Sequence, residues 1–416
     1  MPYLRSLVLG FITCLVLVAC APQGANKQAP VRSSGQQTQA GYAYPSQATP
    51  PGSYGYMPQV QSMEPAQTVK VGLLLPLTGR AQTVGSALQD AAVLALFDKY
   101  ATVSPQQARI QIELVPADTK GNAEDAALAA KQVLDQGVQL IIGPLFSDSV
   151  RAVAPIAKQR NVQVLSFSNN EQVAGEGTYL FGFTPEEQVE RVAQYAFSSG
   201  VNQVAVLAPN TPYGQKVAAS MKTAAKAMGK IAEPVMLYAA EGGNVSQQVD
   251  ALIAKAGGGS KVPFDGLFLP EGSGVLEPML AALESRNITP ARVRFLGTGL
   301  WDDESIRRRY NLSGAWYASS PNESYQRFEQ RFEATYNYTP PRIASLAYDA
   351  TALAATLASA QTGFGPAALA SPVGYSGPAN GIFRLTPQGR VQRGLAVLEV
   401  NGGDVRTIDP APTYFR

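Results

Sequence analysis

The sequence predicts an α/β protein of two successive lobes, each an open parallel-rich sheet flanked by helices, with a cleft between them. Three observations carry this. Short apolar runs of strand length alternate with segments of helical periodicity from Val69 onward, and the alternation runs in two series that meet near Pro185. Small and polar residues stand just after the strand ends, where open sheets of this kind bind ligands.

The first unit sets the pattern. Residues 69–75 (VKVGLLL) form an apolar run closed by Pro76, which has no N–H to give to a sheet ladder. Thr78, Gly79 and Gly85 make a turn, and Leu88, Ala91, Ala92, Ala95 and Leu96 then recur at helical spacing. The loop over 77–86 therefore belongs at a strand's carboxyl end. The same reading gives strands over 110–115, 138–142 and 162–166, with helices over 123–134 and 150–159. The second series has helices over 185–199, 213–228, 245–256 and 275–287, and strands over 203–207, 232–237, 266–269 and 294–296. Two more helices, 325–336 and 343–360, are split by Pro340-Pro341, and strands over 381–385 and 391–400 flank a Pro387-Gln388-Gly389 turn. The glycine-rich stretch 257–261 lacks a feeding strand and the Walker spacing, so it reads as a solvated loop. Gly272-Ser273-Gly274 and Gly297-Thr298-Gly299 follow strands without completing a dinucleotide fingerprint, and read as close backbone approaches at a cleft edge.

Composition removes many functions. Of 416 residues, 45% are hydrophobic and 15% charged, which is a compact protein with ample core. Lys and Arg number 33 against 31 acids, so with a net charge of +2 and no basic run, nucleic acid is not an expected partner. There is no histidine, which excludes Ser–His and Cys–His nucleophile pairs and histidine metal sites. The cysteines, Cys14 and Cys20, both precede the predicted lobes. Asp118, Asp302, Asp303 and Glu304 offer a carboxylate pair in principle, but their spacing equally suits helix caps and first-turn acids, the preferred reading.

Arg5 precedes an apolar run over 7–19 that is short for a bilayer span. It closes with Leu17-Val18-Ala19-Cys20, which resembles the bacterial lipobox. That resemblance implies a lipoprotein signal peptide over 1–19, acylation of Cys20, and a membrane anchor through it. Ala21 follows where inner-membrane retention uses Asp, which implies the periplasmic side of the outer membrane. From Cys20 to about residue 67 the chain is rich in Gln, Pro, Gly, Ser, Ala and Tyr, the composition of a disordered tether.

The body over 69–416 resembles the type I periplasmic binding proteins of the leucine/isoleucine/valine-binding kind. The motifs are VGLLLPLTG, IIGPLFSDSV, VLSFSNN, TPYGQ, PRIASLAYDA and GIFRLTPQGR, in order along about 350 residues. The resemblance implies two Rossmann-like lobes in a Venus-flytrap arrangement, joined by three crossings and closing by hinge motion. It implies lobe one over about 69–186 and 316–372, and lobe two over about 187–315 and 373–416.

The family's amino-acid site carries over residue by residue. Ser147 stands where the family holds the ligand carboxylate, with Gly143 allowing close approach. Ser166, Phe167, Ser168 and Asn169 form the next loop, with Asn169 in place of the family's threonine. Leu77, Thr78 and Gly79 complete the lobe-one side. On lobe two the resemblance implies Tyr213, Glu271, Gly272, Ser273, Gly299 and Trp301. Gly299 and Gly272 stand where the family places the glutamate and tyrosine that clamp the ligand ammonium, so half of that clamp is lost; Glu271 or Asp302 is the available substitute. No cofactor is implied. VGLLLPLTG with VLSFSNN resembles a narrower branch, the penicillin-binding-protein activator lipoproteins, which dock onto a peptidoglycan synthase. The alternative is a substrate-binding lipoprotein of an amino-acid or amide ABC permease. An enzyme is the third reading.

Overall fold

The computed structural model describes residues 67–101, 110–239, 244–258 and 262–415. The expected signal peptide, Cys20 and tether lie outside the described residues, as does 259–261 of the glycine-rich loop.

Strand β1 (Gln67–Leu75) is an interior strand of the first sheet. It pairs in parallel with β2 (Ile110–Asp118) and β3 (Leu140–Ile142), and β4 (Gln163–Ser166) and β5 (Thr178–Leu180) extend the order to β2-β1-β3-β4-β5. Its apolar run is continuous because both faces are covered. Val71, Leu73 and Leu75 pack with α1 (Gln82–Ala101), while Leu74 packs with α2 (Ala123–Asp135) and α3 (Ser147–Gln159) on the other side.

The second sheet follows α4 (Pro185–Ser198). Strands β6 (Val204–Pro209), β7 (Val235–Tyr238), β8 (Gly266–Phe268), β9 (Arg294–Gly297) and β10 (Trp316–Ser319) are parallel neighbours. Helix α5 (Pro212–Ala227) packs on the α4 face, and α6 (Val245–Lys255) and α7 (Ser273–Glu284) on the other. A one-turn helix, α8 (Glu304–Arg307), precedes β10.

The chain then returns to lobe one through α9 (Asn322–Tyr336) and α10 (Ala344–Ser359). Helix α10 is small-residue-rich and buried along most of its length, filling the α1 face of the first sheet. Beyond α11 (Pro366–Leu369), strands β11 (Tyr375–Gly377), β12 (Gly381–Leu385) and β13 (Val391–Arg393) form a small antiparallel sheet. Its Phe383, Leu385 and Val391 join the lobe-one core. Antiparallel β14 (Ala396–Asn401) and β15 (Asp404–Asp409) complete the second sheet, ordered β15-β14-β10-β9-β8-β6-β7.

Two expectations are corrected. The run over 391–400 is not one strand finishing lobe two: it breaks at Gly394-Leu395, so β12 and β13 serve lobe one and only β14 serves lobe two. Lobe one does not resume at 316 either, because Trp316 and Tyr317 pair with Leu296 and Gly297 of β9 and with β14. The crossings fall at 181–184, 320–321 and 394–395. No described helix is long and apolar enough to cross a membrane.

Candidate ligand cleft

On lobe one the rim is built around Asp118, the last residue of β2. Its carboxylate accepts the Leu77 N–H (2.8 Å), the Thr78 N–H (3.3 Å), the Thr78 hydroxyl (2.6 Å) and the Lys120 N–H (2.8 Å). Partial burial pushes this carboxyl up, but the Thr78 hydroxyl and the three N–H groups outweigh it and hold Asp118 below the usual range. Asp118 is therefore the tie that shapes the loop carrying Leu77, Thr78 and Gly79, not a helix cap; Asn122 caps α2 by accepting the Asp125 N–H.

Gly143 follows β3 at φ +93°, with its α-carbon against the Leu74 carbonyl. This close passage leads to α3, where Ser147 is the first helical residue and half-buried. The following loop differs from expectation. Ser166 is buried, donating to Pro144 O (3.2 Å) and accepting the Ser168 N–H (3.0 Å). Ser168 is buried and accepts the Asn170 N–H at 3.2 Å. Phe167 is 2% exposed and belongs to the lobe-one core. These three shape the loop from within and do not line a cleft; Asn169 alone of the four is exposed.

On lobe two, four strand ends supply one connected wall. Tyr213, in the first turn of α5, shares a 3.0 Å hydrogen bond with the Thr298 hydroxyl after β9. Burial pushes the Tyr213 phenol up to about 12, with Thr298 opposing. Tyr238, at the end of β7, donates to the carboxylate of Glu271, which follows β8. Burial raises the Glu271 carboxyl, against the Tyr238 hydroxyl and the Gly272 N–H. Gly272 and Ser273 open α7 beside it. Gly299 donates its N–H to the Gln188 side chain at 2.9 Å. The structure thus brings Tyr213 and Glu271 into one network with Tyr238 and Thr298, which sequence reasoning did not single out. The signal was present for both: Tyr238 ends an apolar strand, and Thr298 sits between two glycines.

Two lobe-two expectations are overturned. Trp301 is fully buried, its ring packed over Gly297 and its Nε1–H donated to the Glu271 carbonyl at 3.1 Å, so it supports the wall from behind. Asp302 is also engaged elsewhere. Its side chain is 4% exposed and accepts the Tyr317 (3.2 Å) and Ser319 (2.8 Å) hydroxyls. Arg342 Nε lies 3.3 Å and Arg307 Nη1 3.7 Å from its oxygens. A carboxylate so surrounded has nothing left for a ligand ammonium, which leaves Glu271 as the lobe-two acid. Asp303 and Glu304 are the cap and first-turn acid of α8, as their spacing suggests, Asp303 accepting the Ser305 N–H at 2.9 Å.

Solved structures share this architecture. A putative branched-chain amino acid ABC transporter from Rhodospirillum rubrum has a TM-score of 0.72 at 21% identity, covering 82% of this chain and all (100%) of that one. The branched-chain amino acid transporter substrate binding protein LivJ from Streptococcus pneumoniae, in complex with isoleucine, has a TM-score of 0.59 at 20% identity, covering 83% of this chain and 100% of that one. At such identities the likeness is one of fold. Among curated proteins, penicillin-binding protein activator LpoA of Photobacterium profundum is 32% identical over 160 residues, 38% of this chain and 25% of the relative. The same-named protein of Pasteurella multocida is 27% identical over 184 residues, 43% of this chain and 29% of the relative. The matched part of the chain spans about a quarter of the length of these relatives. A family model described as periplasmic binding protein matches residues 68–404, and the chain belongs to that family, in its type I, leucine-binding-protein-like form.

Proposed function

We propose that this chain is a non-enzymatic, periplasm-facing lipoprotein that acts as a penicillin-binding protein activator and regulates peptidoglycan synthesis. The likeness to curated activators, at 32% identity over 160 residues, is the observation that carries this reading. The lobe-two wall supports it. Gly272 and Gly299 offer no side chain to a ligand, and Asp302 is committed to Arg342, Arg307 and two hydroxyls. An importer would need those positions to pair a buried ammonium, and losing one such charged contact costs about 2–5 kcal/mol, roughly 30-fold to several thousand-fold in affinity.

A second reading, the substrate-binding lipoprotein of an amino-acid or amide ABC transporter, is favoured by Glu271, a part-exposed carboxylate held at the wall by Tyr238. Two measurements separate them. Added to a purified bifunctional penicillin-binding protein, the chain is expected to raise the rate of glycan polymerisation or cross-linking. In titration calorimetry, leucine, isoleucine and valine are expected to bind weakly or not at all. Submicromolar binding of one of them, abolished by Ser147→Ala or Glu271→Gln, would support import and sink the activator reading.

The anchor is part of the proposal. Cys20→Ala is expected to release the protein into the soluble periplasmic fraction, by loss of acyl chains that hold it to the membrane. Retention of a processed mutant in the membrane pellet would count against lipidation.

A further inference from the structure

The chain crosses between the lobes three times, and a fourth span joins them beyond β15. Strand β15 is the edge of the lobe-two sheet, and Asp409 at its end pairs with Val397 of β14. Residues 410–415 then leave that lobe by stages. Ala411 still packs against the lobe-two core. The Pro412 carbonyl lies over the third crossing, 3.2 Å from a Cβ built on Gly394. Phe415 reaches lobe one, its ring centroid 4.8 Å from the Arg384 guanidinium of β12. The edge of the same ring, at Cδ2, stands 3.0 Å from a Cβ built on Gly374, just before β11. Its neighbour Tyr414 is 64% exposed, so of the two aromatics only Phe415 is seated.

Both ends of the span are fastened. At the root, Arg191 of α4 donates to the Asp409 carboxylate at 2.6 Å and to the Pro410 carbonyl at 3.4 Å. Its Nε donates to the Leu395 carbonyl at 2.9 Å, so one guanidinium ties the root and the third crossing to lobe two. At the far end, Arg384 donates to the Gln392 side chain of β13 and to the Pro372 carbonyl at 3.4 Å. The small sheet that carries Arg384 sends Phe383 and Leu385 into the lobe-one core.

We infer that residues 410–415 form a strap that restrains one lobe against the other, with Phe415 on Arg384 as its clasp. The covalent length explains the restraint. A segment of this size spans roughly 20 Å at full extension. Pro410 and Pro412 each fix φ near about −65°, which leaves the strap little freedom to absorb a change of separation. Movement of β12 away from β15 therefore either draws the strap taut or pulls Phe415 off the guanidinium. Leaving the clasp forfeits a cation–π contact, which at a part-exposed site is worth about two- to fivefold in an equilibrium.

Spin labels read the separation of the lobes directly, because the sequence has no cysteine beyond Cys20. In the full chain with Cys14 and Cys20 replaced by serine, Leu128→Cys on α2 and Lys226→Cys on α5 place one label on each lobe at exposed positions. Lys226→Cys with Ala281→Cys on α7 is the control pair, within lobe two. Double electron–electron resonance is expected to give one dominant interlobe distance. Phe415→Ala should raise the fraction at other distances about two- to fivefold, and a chain stopped after Asp409 should do so at least as strongly. Phe415→Trp, which keeps a ring over Arg384, should restore the dominant distance, and the control pair should not move in any variant. An unchanged interlobe distribution in both tail variants would overturn the inference, as would a change shared by the control pair. If neither tail variant folds by circular dichroism, Arg384→Gln decides, and an unmoved interlobe distance there overturns the strap.

Discussion

Asp302→Ala is expected to cost about 3–5 kcal/mol of stability, read as a fall in the urea midpoint without a change in slope. The carboxylate is the common acceptor for Tyr317, Ser319, Arg307 and Arg342, and its side chain is 4% exposed. Removing it strands two hydroxyls and leaves two arginines, each 17% exposed at the side chain, without their anion. The loss also cuts a tie between lobes, since Arg342 precedes α10 in lobe one and Asp302 follows β9 in lobe two. The adjacent Asp303→Ala is the control. Asp303 is exposed and only caps a one-turn helix, so about 1 kcal/mol is expected. Equal effects for the two aspartates would show that the Asp302 network carries no special weight.

Gly143→Ala should be comparably severe, at roughly 3 kcal/mol or more. An added Cβ would stand 2.1 Å from the Leu74 carbonyl oxygen, and φ is +93°, where an L side chain is strained. Leu74 lies in an interior strand, between neighbours on both sides, so its backbone has no room to retreat. Gly137 separates the two causes: its φ is +80° with nothing within 4 Å of a built Cβ, so Gly137→Ala should show only the conformational cost, about 1 kcal/mol. If both variants unfold at the same urea concentration, steric contact at Gly143 is not what fixes the loop before Ser147.

Much of this architecture was legible because the strands of a two-faced sheet are continuous apolar runs and the helices carry a clear period. β1, α2, α4 and α5 fall within a few residues of their expected bounds. What escaped was set by partners far along the chain. β5 has three residues and β10 four, too short for periodicity to register, and β10 is a strand because β9 and β14 flank it. The run over 391–400 looks uniform, yet Gly394-Leu395 passes it from one lobe to the other. At the candidate cleft, Ser147 and Tyr213 stand in the first turns of α3 and α5, and Asn169 and Glu271 on the loops after β4 and β8. Phe167 and Trp301 were misplaced for a common reason: a large aromatic beside a cleft loop is as readily the loop's own support, and only packing distinguishes the two.

The course of the chain through both sheets also constrains the order in which the molecule can be made. Lobe one receives α10 and β13 only after nearly all of lobe two has been synthesised. Lobe two in turn waits for β14, which lies between β10 and β15. A nascent chain halted before Ala396 has Trp316–Ser319 as a bare sheet edge, with unpaired backbone groups along one side. The two ladders therefore close at different times: the five-stranded sheet of lobe one needs nothing beyond Leu180, whereas that of lobe two stays open beside β10 until Ala396–Asn401 has been made.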